Sequence, residues 1–198
     1  MIHRLPNILT IFRIVITPLI VWFLIGFDGF TLHLMAFVLF IIASLTDLFD
    51  GMLARKLQVV SEFGKFMDPL ADKILVNSTF ITLNILEIMP YWITGVIILR
   101  DMTVTLLRWG MLANGASMNT SQMAKLKTTF QYISMYVGLV FILMGHFEAL
   151  DTLVAWLEEW FITEIIFAAT GVVTAYTGFH YLWINRSYLK TLFNEEDE

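Results

Sequence analysis

The sequence contains no cysteine and only 4 prolines, and just 15% of its 198 residues are Asp, Glu, Lys or Arg. Without thiols there can be no disulfides, no thiolate metal ligands and no cysteine nucleophile. The shortage of charge, beside 58% hydrophobic residues and a mean hydropathy of +0.76, excludes an ordinary soluble domain, where about a quarter of residues are charged. The net charge of -5 argues against a nucleic-acid partner. Internal repeats, low-complexity linkers and a second composition are also missing, so residues 1–198 are expected to form a single membrane domain. His3 and Arg4 precede an apolar run, as in a signal peptide, but no small-residue cleavage site follows and apolar segments continue to the far end. The first helix is expected to be retained.

What the chain does have is apolar stretches of bilayer length, near 8–26, 33–56, 64–86, 91–113, 126–146 and 161–184. They predict an all-α fold, a polytopic bundle of six transmembrane helices, in which the short connections at 27–32 and 87–90 make neighbours antiparallel. The 12 basic residues are Arg4, Arg13, Arg55, Lys56, Lys65, Lys73, Arg100, Arg108, Lys125, Lys127, Arg186 and Lys190. All lie at the termini, in the second and fourth connections, or at the adjoining helix ends. The other connections and their borders carry Asp28, Glu87, Glu148, Asp151, Glu158, Glu159 and Glu164 instead. By the positive-inside rule both termini are cytoplasmic. The segment DTLVAWLEEW, with Trp156 and Trp160, is expected to lie in the outer interface, and the acidic tail Glu195–Glu198 to be disordered.

The most informative stretch runs from Thr46 to Leu75. Asp47, Asp50, Gly51, Ala54 and Arg55 share one helix face, and Gly64, Asp68 and Asp72 share another. The segment between them is long enough to end one helix and begin an antiparallel partner, so four carboxylates can point at a common volume. One or two acids at helix ends can snorkel or pair with Arg and Lys. Four on two facing stripes require protons or metal ions, and cations are the economical reading. All-oxygen ligands favour Mg²⁺ or Mn²⁺ over zinc or copper. Asn7 or Thr10 can cap the first helix, with Arg13 one turn inside. His3, His33, His146 and His180 share no ligand spacing and read as structural or interfacial, while Gly171 and Ala175 form a weak small-xxx-small pair.

Residues 47–72 read D-x2-D-G-x2-A-R-x8-G-x3-D-x3-D, which resembles the signature of the CDP-alcohol phosphotransferases at each of its eight fixed positions. The resemblance implies a homodimer of six-helix subunits, two divalent ions per subunit, and transfer of a phosphatidyl group from CDP-diacylglycerol to an alcohol with release of CMP. It implies that Asp47, Asp50 and Asp68 are metal ligands and that Asp72 is the catalytic base and also a metal ligand. Gly51, Ala54, Arg55 and Gly64 match its nucleotide-contacting positions, and Asn7 its N-terminal contribution. LPNILTIFR, TDLFDGMLARK, FMDPLADK, RDMTVTLLR and AKLKTTFQ are most similar to the bacterial phosphatidylglycerophosphate synthase branch. That branch commonly has Arg-Glu where Arg100-Asp101 stands, and Gly-Lys where Ala124-Lys125 stands. The implied location is the bacterial cytoplasmic membrane, with the active site facing the cytoplasm.

The acceptor is read from positive charge. Arg100 and Arg108 lie two turns apart on one helix face, and Lys125 and Lys127 open the next span. Positive-inside anchoring with Asp101 pairing one arginine is the plain explanation. An anionic acceptor accounts better for the excess, because guanidinium forks and an ammonium suit a phosphate monoester. Glycerol 3-phosphate is therefore expected over inositol, serine or choline. Alternatives are a cardiolipin or inositol-phosphate lipid synthase of the same family, an intramembrane prenyltransferase, and a cation carrier or channel.

Overall fold

The computed structural model describes residues 5–57, 62–113 and 123–186, with side chains at 7–47, 67–112 and 125–186. Every element among them is helical: α1 (Leu5–Ile25), α2 (Phe30–Leu57), α3 (Glu62–Ile85), α4 (Tyr91–Ala113), α5 (Met123–Met144), a 3₁₀ turn (Glu148–Leu150), α6 (Asp151–Glu159) and α7 (Ile162–Ile184). Six long helices thus stand where the six apolar stretches do. Four contain segments long and apolar enough to cross a membrane, Asn7–Ile25, Phe30–Asp47, Lys125–Met144 and Ile162–Ile184. The charged residues of α3 and α4 interrupt their hydropathy. The short α6 buries no residue and leaves Trp156 and the following Trp160 exposed, which suits the interfacial segment expected from sequence.

The chain divides into two compact units, residues 1–89 with 135–161, and residues 90–134 with 162–198. In the first, α1 packs against both α2 and α3. Ile16, Ile20 and Leu24 of α1 are buried, as are Ala36, Phe40 and Ala43 of α2 and Ala71, Leu75, Phe80 and Leu83 of α3. The i, i+4, i+7 spacing of Ala36, Phe40 and Ala43 places them on one helix face. Gly138 of α5 admits Leu83, whose methyl carbons would lie 2.8 Å from any added Cβ.

In the second unit α4 packs on α7. Val104, Leu107, Met111 and Tyr181 form a buried cluster there. The first part of α5 joins α7 through polar groups: the Ser134 and Thr170 hydroxyls are 2.5 Å apart, and both residues are fully buried.

Candidate active site

α1 is the helix on which the first group of site residues is built. Thr10, Arg13 and Thr17 follow at i, i+3 and i+7 and make a polar stripe on an otherwise apolar helix. Each is buried; Thr10 and Arg13 have 0% exposure. A guanidinium at such depth requires a countercharge, and the Arg13 Nη1 is 2.5 Å from Asp47 Oδ1. One turn earlier, the Thr10 hydroxyl donates to Asp68 Oδ1. The Thr17 hydroxyl is satisfied locally, donating to the Arg13 carbonyl at 2.8 Å.

α1 therefore holds one carboxylate of α2 and one of α3. Those two are close enough for their charges to repel. Asp72 lies one turn beyond Asp68 on α3 and is half-buried, as is Asn7 near the start of α1. Asp50, Gly51, Ala54 and Arg55 stand in α2 and Gly64 in α3, but their side chains lie outside the described residues. Among the described residues no three carboxylate or imidazole groups converge as a complete ion site. Asp47 and Asp68 nevertheless suit a hard divalent cation. They are oxygen donors from two helices, each held by a side chain of α1.

The basic residues expected to hold the acceptor fall in the second unit. Lys127 is buried, and its Nζ donates to both carboxylate oxygens of Asp101 at 2.6 and 2.7 Å. The Arg100 Nη1 reaches Asp101 Oδ1 at 3.1 Å, while its Nε is buried without a hydrogen-bond partner. Arg108 and Lys125 are exposed. The stem of Arg100 runs across Gly178, where a Cβ would come within 2.6 Å of Arg100 Cγ. Asp101 thus joins the two cations, where the sequence suggested at most a partner for one arginine.

Sequence reasoning did not assign the holding roles of Thr10 and Arg13. Their i, i+3 spacing and the presence of an arginine within an apolar run were the available signals. Two of the histidines expected to be structural or interfacial meet each other. His33 Nδ1 and His146 Nε2 are 2.8 Å apart, a structural pair beside Phe30 that no sequence spacing could disclose. His3 and Glu195–Glu198 lie outside the described residues.

Residues 3–177 match the model of the CDP-alcohol phosphatidyltransferase family. The chain belongs to that family. Among its relatives is the CDP-diacylglycerol–glycerol-3-phosphate 3-phosphatidyltransferase of Bacillus subtilis, 40% identical over 142 residues, covering 66% of this chain and 74% of the relative. A protein of Mycobacterium tuberculosis named as a probable phosphatidylglycerophosphate synthase is 39% identical over 135 residues, covering 67% of this chain and 64% of its own length. The Rickettsia typhi protein bearing the same name as the Bacillus relative is 33% identical over 189 residues, which cover 93% and 98% of the two chains. The family match includes all eight positions of the carboxylate signature as well as α1, whose threonine and arginine hold two of its aspartates.

Proposed function

We propose that this chain transfers the phosphatidyl group of CDP-diacylglycerol to glycerol 3-phosphate, releasing CMP and forming phosphatidylglycerol phosphate. The observation that carries the reading is the complete eight-position signature within a chain that matches a glycerol-3-phosphate phosphatidyltransferase over nearly its full length. In the reaction the acceptor hydroxyl oxygen forms a bond to the phosphatidyl phosphorus, the bond from that phosphorus to CMP breaks, and the hydroxyl proton passes to Asp72.

Asp47, Asp50, Asp68 and Asp72 are the residues that would hold two Mg²⁺ or Mn²⁺ ions, with Asp72 serving chiefly as base. Bound divalent cations supply charge neutralisation of the diphosphate and of the leaving CMP. Asn7, Gly51, Ala54, Arg55 and Gly64 bind the nucleotide, the glycines by admitting it close to backbone. Arg100, Arg108, Lys125 and Lys127 attract the acceptor phosphate. Asp101 offsets part of their charge and holds Lys127 and Arg100 in fixed positions. A six-span homodimer in the bacterial cytoplasmic membrane, with the site facing the cytoplasm, completes the reading.

The test supplies purified protein with CDP-diacylglycerol and Mg²⁺, offers glycerol 3-phosphate, inositol phosphate, phosphatidylglycerol and inositol separately, and measures CMP and the lipid product. Glycerol 3-phosphate is expected to support turnover, and EDTA or Asp68→Ala to abolish it. CMP release with another acceptor alone would leave the family chemistry and overturn the acceptor. Ion flux across vesicles without CMP formation would favour a carrier.

A further inference from the structure

We propose that Arg13 is a resident countercharge: it holds the metal-binding carboxylates in place while no cation is bound, and it opposes cation binding once one arrives. The inference rests on the metal-ligand reading of Asp47 and Asp68 given above. Arg13 is fully buried and 2.5 Å from Asp47, so it offsets the charge of that carboxylate directly. Asp68, which repels Asp47, receives the neutral hydroxyl of Thr10 from the same helix. Among the described side chains of α1, one guanidinium and one hydroxyl thus face these two carboxylates. That is tolerable for a folded protein awaiting a cation, whereas bare carboxylates at this depth would not be.

A divalent cation placed against Asp47 would meet Arg13 at close range in a poorly hydrated site, where like charges repel strongly. Arg13 therefore weakens cation binding even though it preserves the geometry of the site. A residue whose role was only to orient Asp47 would have the opposite effect, because its loss would weaken cation binding. Thr10 is such an orienting residue. It donates to Asp68 without bringing charge, so its removal should reduce cation affinity.

The experiment titrates Mn²⁺ into the full chain in detergent micelles, follows free Mn²⁺ by electron paramagnetic resonance, and measures thermal unfolding without and with the metal. Loss of Mn²⁺ binding in Asp68→Ala identifies the site. A wild-type protein that binds no Mn²⁺ would refute the metal reading and this inference with it. Arg13→Gln should bind Mn²⁺ at least about tenfold more tightly than wild type. It should also unfold about 5–10 °C lower in the absence of metal, with Mn²⁺ restoring most of the difference. Arg13→Lys, which keeps the charge, should retain wild-type Mn²⁺ affinity to within about threefold. Thr10→Val should bind more weakly. If Arg13→Gln fails to fold unless Mn²⁺ is supplied, the countercharge role stands; if it fails with Mn²⁺ as well, or folds and binds Mn²⁺ more weakly, the inference is overturned while the metal site remains.

Discussion

Asp101 shows how one side chain can tie a functional proposal to the stability of the protein. It is buried, accepts both short bonds from Lys127, and also faces Arg100. Replacing it with asparagine would leave a buried ammonium without its countercharge, a loss of about 3–5 kcal/mol by comparison with other broken buried pairs. Asp101→Asn should therefore lower the unfolding temperature sharply, whereas Asp101→Glu, which keeps the carboxylate, should not. The double variant Asp101→Asn/Lys127→Met should recover much of the lost stability, which thermal unfolding of the three proteins would show. Gly178 provides a separate probe. Adding a methyl there presses on Arg100 Cγ, so Gly178→Ala should displace the guanidinium and raise KM for glycerol 3-phosphate about tenfold, with donor binding retained. Equal losses for donor and acceptor would mean that Arg100 does not serve the acceptor alone.

Among the elements, α3 carries two site aspartates and closes in an unusual way. Ile88 N donates to the Leu83 carbonyl at 3.0 Å and Glu87 N to Asn84 at 3.0 Å, the bond pattern of a Schellman cap. The position that this cap reserves for glycine holds Glu87, with φ of 60°. Asn84 adds a side-chain bond to the Met89 carbonyl at 2.7 Å, which helps to hold the turn in that strained form. Glu87→Gly should accordingly raise stability by about 1 kcal/mol and leave kcat unchanged, as read by thermal unfolding and CMP release. The ends of the helices were partly legible in the sequence, since the apolar stretches and the six long helices coincide to within a few residues. That Asp68 and Asp72 lie one turn apart on α3 was equally legible, because helical spacing alone assigns them to one face. The partners of Asp47 and Asp68 were not, since Arg13 and Thr10 are 34 and 58 residues away and only helix packing joins them. The same holds for Lys127 and Asp101, which are 26 residues apart. Such charges interrupt the apolar run of α4, and the sequence alone does not disclose that Lys127 and Arg100 both face Asp101.

For the molecule as a whole, the distribution of charge makes a claim about orientation that can be tested directly. Basic residues cluster at 55–56, 125–127 and the termini, while Asp28, Glu87, Glu148 and Asp151 mark the other ends of the helices. Moving lysine or arginine across a bilayer is costly, so the basic ends should stay in the cytoplasm and the acidic ends outside. The absence of cysteine makes the measurement simple, because any introduced thiol is the sole target. Asp28 and Asp151 are both exposed, so Asp28→Cys and Asp151→Cys should react with a membrane-impermeant maleimide in intact cells. Gln58→Cys should react only after the membrane is opened. This orientation presents the aspartate-bearing ends of α2 and α3 to the compartment that holds glycerol 3-phosphate and CMP, as the proposed reaction requires. Labelling of Gln58→Cys from outside would place those aspartates on the wrong side of the membrane for a cytoplasmic acceptor, and the proposed substrate would have to be abandoned along with the topology.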